Sequence, residues 1–141
     1  MENAPSPAGL KEGHLVLFVD DDPHIAALGQ RLLQKLGYRA DALTNSVAAL
    51  ELIRANPKNY SLILTDQLIP TLSGTALAKH VHEIRPDLPV VLVTGCLDFF
   101  FENGAYPPGI CEILLKPFSM RSLNEAVGRA IATAEASNNA A

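Results

Sequence analysis

The 141-residue sequence predicts an α/β fold: a doubly wound, five-stranded parallel sheet with five flanking helices. Three observations carry this reading. Apolar runs of strand length alternate along the chain with segments of helical period. The runs, such as Leu15-Val16-Leu17-Phe18-Val19, are too continuously apolar for a sheet with one wet face and suit strands buried on both sides. A hydrophobic content of 48% is ample for the core that two covered faces need. Strand–helix alternation of this kind closes through right-handed crossovers.

The first strand is expected over Leu15 to Asp20. Asp22 and Pro23 then offer a helix cap and a first-turn proline. Ile25, Leu28, Leu32 and Leu36 follow at spacings of three and four, and Gly37 ends that helix. A second strand covers Tyr38 to Leu43. Thr44-Asn45-Ser46 supplies helix-start chemistry before the Val47, Leu50 and Ile53 stripe, which Pro57 stops. The third strand, Ser61 to Thr65, terminates in Asp66.

Eight loop residues follow, Gln67 to Gly74, punctuated by Pro70 and Gly74. Leu77, Val81 and Ile84 mark a third helix, closed at Arg85-Pro86 because proline disfavours helical geometry in the residue before it. Val90 to Thr94 is the fourth strand. Between Gly95 and Gly109 a short, distorted helix is expected around Phe99-Phe100-Phe101. Glu112 to Leu115 forms the fifth strand, and Ser119 caps a last helix with the stripe Leu123, Val127 and Ile131. Residues 1–13 read as a flexible lead or linker, 14–133 as the folded domain, and 134–141 as a disordered tail.

Several function classes are disfavoured by composition. A net charge of −4 and scattered basic residues do not make a nucleic-acid surface, which needs clustered Lys and Arg. No apolar run approaches the ~18 residues of a membrane span, and no signal core precedes Gly13, so a cytoplasmic setting is expected. Cys96 and Cys111 lack metal-ligand spacing and read as reduced, partly buried thiols. His14, His24, His80 and His82 show no metal spacing either.

Ligands of an open parallel sheet bind beyond the carboxyl ends of its strands. Here those ends carry Asp20 and Asp21, Asp66, Thr94 and Lys116. Each alone has an ordinary structural reading as a cap, a strand end or a surface cation. Together they make a pocket with a definite chemistry. Clustered carboxylates, a carbonyl and waters form a hard-oxygen site suited to Mg²⁺. Asp66 is placed as a nucleophile that accepts a phosphoryl group as an acyl phosphate. Lys116 and the Thr94 hydroxyl neutralise phosphoryl oxygens, and Gly95 keeps the approach open.

Val-Asp-Asp-Asp-Pro, Leu-Thr-Asp-Gln-Leu-Ile-Pro-Thr-Leu-Ser-Gly, Val-Thr-Gly and Leu-Lys-Pro-Phe, in that order over Leu15 to Ile131, resemble the receiver (response-regulator) domain of two-component signalling. The resemblance implies a flavodoxin-like sheet of order 2-1-3-4-5 and a Mg²⁺ (or Mn²⁺) ion held by Asp20, Asp21, Asp66 and the Leu68 main-chain carbonyl. It further implies Asp66 as phosphoacceptor, Thr94 as switch hydroxyl, Lys116 as the paired lysine and a cis bond before Pro117. Pro70 and Gly74 match the acceptor-loop turn positions. The implied partner is a histidine kinase or histidine phosphotransfer domain. Such a domain is not an enzyme in its own right, although it catalyses its own phosphotransfer and dephosphorylation. The chain departs from the pattern at Ile113, where the family carries an aromatic switch residue.

Other readings stand beside this one. The chain is expected to be either a free receiver or the C-terminal receiver of a hybrid sensor histidine kinase, which the Pro/Gly-rich lead favours. No output domain follows Ala134 in the 141 residues, so the output is expected from elsewhere. A phospho-independent interaction module and a haloacid-dehalogenase-type phosphatase are the alternatives. The phosphatase would want Asp-x-Asp-x-Thr, and His24 stands in the Thr position.

Overall fold

The computed structural model describes residues 13–95 and 105–139, with side chains as far as Ala136. Five strands form one parallel sheet of order β2-β1-β3-β4-β5: β1 Leu15–Val19, β2 Arg39–Leu43, β3 Leu62–Asp66, β4 Val90–Thr94 and β5 Ile110–Leu115. The described helices are α1 Pro23–Lys35, α2 Ser46–Ala55, α3 Gly74–Ile84 and α4 Met120–Asn139. The expected helix around Phe99 to Phe101 lies outside the described residues.

Alternating side chains of the strands face opposite layers. Leu17, Val19, Ile63 and Leu92 pack with Ala49, Leu50 and Ile53 of α2 and Leu77, Ala78 and Val81 of α3. Val16, Phe18, Leu62, Leu64, Val91 and Val93 pack on the other face with Leu33 of α1 and Leu123, Val127 and Ile131 of α4. Full burial of each such side chain is worth about 1.5–3 kcal/mol, and it is this burial that holds short helices on the sheet.

Local chemistry sets the element ends. The Asp22 carboxylate accepts from the His24 and Ile25 amides and starts α1, and Gly37, at φ 102°, ends it. Asn45 caps α2 through the Ala48 amide, and Ser73 caps α3 through the Ala76 amide. Ser119 caps α4 by accepting from the Ser122 amide.

Four expectations are corrected. Gly74 is the first residue of α3 and not a loop turn: a Cβ there would meet the Asp66 carbonyl oxygen at 2.4 Å, so the close approach of helix to strand requires glycine. Strand β5 begins at Ile110, two residues early, because the register shifts between Val90 and Val91 and skips Cys111. Strand β2 begins at Arg39, Tyr38 being buried among the α1–α4 side chains. Helix α4 runs to Asn139, past the expected end at Ala134. Ala134, Glu135 and Ala136 are good helix formers, and Glu135 Oε2 lies 3.3 Å from His14 Nε2.

Candidate functional site

Strand register brings the strand-end residues together. Val19 pairs with Thr65, so Asp20 and Asp66 leave adjacent strands at the same level. Thr94 pairs with Leu115, and the Lys116 amide donates to the Thr94 carbonyl at 2.9 Å, which carries the lysine to the same end of the sheet. The Lys116–Pro117 peptide bond is cis.

Oxygen atoms of Asp20, Asp21 and Asp66 lie within 4.8 Å of one another. Lys116 Nζ sits 3.3 Å from Asp20 Oδ2 and 3.3 Å from Asp66 Oδ1. The structure thus brings Asp20, Asp21, Asp66 and Lys116 together at this end of the sheet. Asp22 separates from the cluster: its carboxylate is used on α1, and only its amide turns back, donating to Asp20 Oδ1 at 2.9 Å.

Asp20 is 2% exposed. A buried carboxylate is costly unless paired and hydrogen-bonded, and Lys116 with the Asp22 amide supplies both. The side chain of Asp66 is 13% exposed. Its Oδ1 accepts from the Gln67 amide at 2.9 Å and faces Lys116. Burial pushes the Asp66 carboxyl above the ordinary carboxylate range; the Lys116 charge opposes this, and the Asp20 charge adds to it. Burial pulls the Lys116 ammonium down, but Asp66 and Asp20 together hold it above its usual value.

The donor set fits a hard divalent cation. Three carboxylate oxygens converge, a single lysine does not neutralise them, and no soft ligand is present among them. Thr94 is buried at the end of β4 and follows Val93, the register partner of Asp66. Leu68 lies two residues beyond Asp66 and is 81% exposed. Ile113 is partly buried against the α2–α3 layer.

Two polar residues that hold the loop after Asp66 were not legible as such. The Ser46 hydroxyl, on a residue 1% exposed, donates across 2.7 Å to the Leu72 carbonyl in the acceptor loop. In sequence, a Ser after Asn at a helix start reads only as a cap. The Gln67 side chain closes the same loop onto Thr75, a contact eight residues long with no local signal.

The histidines stay outside the cluster: His14 bonds Ser61 Oγ at 3.0 Å, and the His24 and His80 side chains lie near Asp22 and Glu83. Cys111 is a free thiol, pushed up to about 11 by burial and by Glu112, which keeps it protonated and unreactive near neutrality.

The family model for the response regulator receiver domain matches residues 16–128. The chain belongs to the response regulator receiver domain family. Among relatives of this receiver domain, CpdR of Brucella abortus (strain 2308) is a response regulator receiver protein, 32% identical over 108 residues, covering 77% of this chain and 88% of that one. The two-component response regulator ARR11 of Arabidopsis thaliana is 31% identical over 84% of this chain, which spans 22% of ARR11. A receiver domain crystal structure from Clostridium thermocellum superposes with a TM-score of 0.78 at 27% identity, covering 86% of this chain and 97% of that one. The order 2-1-3-4-5 expected from the motifs is the order observed. No described helix is long and apolar enough to cross a membrane.

Proposed function

We propose that Asp66 is the phosphoacceptor of this receiver domain, taking its phosphoryl group from a phosphohistidine of a histidine kinase or phosphotransfer domain. The observation that carries this is the position of Asp66 between Lys116 and the Asp20–Asp21 carboxylates. Asp20 is deeper and accepts bonds on both oxygens, whereas the Gln67 amide and Lys116 both meet Asp66 at Oδ1. In this reading Oδ2 is the attacking oxygen.

An Asp66 oxygen attacks phosphorus; the O–P bond forms as the P–N bond to the donor imidazole breaks, and its electron pair goes to the ring nitrogen. In the reset, water attacks phosphorus and the acyl O–P pair returns to the carboxylate, releasing phosphate and a proton. Lys116 and the Thr94 hydroxyl serve phosphoryl oxygens during both displacements. Asp20, Asp21, Asp66 and the Leu68 carbonyl are the residues that would hold Mg²⁺, or Mn²⁺ in its place. The ion, when bound, neutralises phosphoryl charge.

The product adds a charge of about −1.5 to −2 at this sheet end, which biases the surface around Thr94 and β5 toward partners. A groove of about 450 Å³ beside Lys116, lined by Ile25, Leu28, Leu32, Pro117 and Phe118, gives a donor an apolar foothold. In this reading the chain is a signalling domain in a cytoplasmic setting and turns over no external substrate. The folded unit starts at His14, as a stand-alone receiver or as the receiver part of a hybrid kinase.

The test is intact-mass measurement after incubation with acetyl phosphate and Mg²⁺. The native chain should gain one phosphoryl group, lost on chelation of Mg²⁺ before mixing and absent in Asp66→Asn. Equal labelling of the mutant, or none of the native chain, overturns the assignment. Steady turnover of p-nitrophenyl phosphate would instead favour a phosphatase.

A further inference from the structure

We propose that Gln67 is a positioning residue for the Asp66 reaction, acting as a clamp across the neck of the acceptor loop. The proposal rests on the reading of Asp66 as phosphoacceptor. The loop leaves β3 at Gln67 and returns at Gly74. At that neck the Gln67 Oε1 accepts from the Thr75 amide at 2.8 Å, its Nε2 donates to the Thr75 hydroxyl at 3.2 Å, and the Gly74 amide donates to the Gln67 carbonyl at 3.0 Å. One side chain thus ties the exit of the strand to the first turn of α3 and satisfies an amide that a helix start otherwise leaves unpaired.

The backbone of the same residue touches the site. The Gln67 amide is shared between Asp66 Oδ1 at 2.9 Å and the Val93 carbonyl at 3.3 Å. Where the neck holds Gln67 decides how far that N–H turns to the carboxylate and away from the β-ladder. The next residue, Leu68, carries the carbonyl assigned to the metal. Both groups therefore move with the neck.

The loop is held from outside as well as by its own turns. Thr71, a β-branched residue, sits at φ 75°, a conformation that persists only when its surroundings over-determine it. Ser46 holds the far side through the Leu72 carbonyl, and Gln67 holds the near side. Of the two pins only Gln67 lies beside Asp66, so its loss should disturb chemistry beyond any general loosening.

The full chain is tested with Gln67→Met, which keeps size but loses both bonds, and with Gln67→Glu, whose two oxygens accept from the Thr75 amide and hydroxyl. Ser46→Ala releases the loop at its other end. Phosphorylation by acetyl phosphate at saturating Mg²⁺ is followed by intact mass. Mg²⁺ affinity is measured separately by NMR titration without phosphodonor, and thermal midpoints are taken metal-free. Gln67→Met should be phosphorylated roughly tenfold more slowly and bind Mg²⁺ more weakly, as loss of an outer partner of a metal site does. Gln67→Glu should stay near native in phosphorylation rate, and Ser46→Ala should lose more midpoint than rate.

Native phosphorylation and Mg²⁺ affinity in Gln67→Met overturn the clamp, as does a rate loss that only tracks midpoint across all three variants. If Gln67→Met does not fold, Thr75→Pro removes the same donor at a first-turn position that tolerates proline, and the same criteria apply. A native chain that is never phosphorylated overturns the reading of Asp66 instead, and the Mg²⁺ titration still judges the clamp.

Discussion

Asp20, Asp21 and Asp66 share a pocket, while Asp22, the same side chain one residue on, caps a helix. Position relative to the strand end decides the use. Asp22→Ala should therefore cost about 1 kcal/mol of stability as a lost cap in urea unfolding, with Mg²⁺ affinity unchanged. At Asp66 the raised carboxyl has a signed consequence. A folded-state value above the unfolded one contributes stability that is present below the ordinary carboxylate range and is lost as pH rises through the folded value. In metal-free protein at neutral pH the ionised Asp66 is thus a liability, which burial causes, Lys116 reduces and Asp20 deepens. Asp66→Asn should unfold at a higher temperature than the native chain at pH 7, and the difference should shrink towards about pH 4, near the intrinsic carboxylate value. Thermal melts across pH in chelator check this.

At the scale of elements, α3 is seated directly on β3 at Asp66. The Asp66 carbonyl and the Leu92 side chain leave no room for a Cβ on Gly74. Gly74→Ala must push α3 outward, and overpacking of this kind costs about 1–3 kcal/mol. The same displacement drags the Gln67 neck, so phosphorylation should slow along with the fall in stability, measured on one preparation by unfolding and intact mass. By contrast α1 meets the site at its first residues, where the Asp22 amide donates to Asp20, and α4 packs in the layer beneath the sheet.

For the whole molecule, the pocket is a place where charge is concentrated at the expense of the metal-free fold. A ligand that binds only the folded chain stabilises it by mass action, about 2.7 kcal/mol at a hundredfold excess over Kd. Mg²⁺ should raise the midpoint of the native chain by a matching amount and chelator should reverse it. In Asp21→Asn, which removes the exposed donor of the cluster, most of that increment should vanish.

Much of this was readable before any coordinates. Alternating apolar runs and helical stripes determined the layers, because burial on two faces leaves a periodic mark on the chain. The residues ending those runs named the site, because a parallel sheet delivers its carboxyl ends to one edge. Ser46 and Gln67 were not readable, since their partners lie 26 and 8 residues away and polar side chains at a helix start look alike. Gly74 read as a turn because composition cannot distinguish a free glycine from one pressed on a carbonyl. Sequence thus settled which groups meet. Tertiary structure decided their division of labour, because only the strand register and the start of α1 set which carboxylates meet Lys116 and which one is spent on a helix cap.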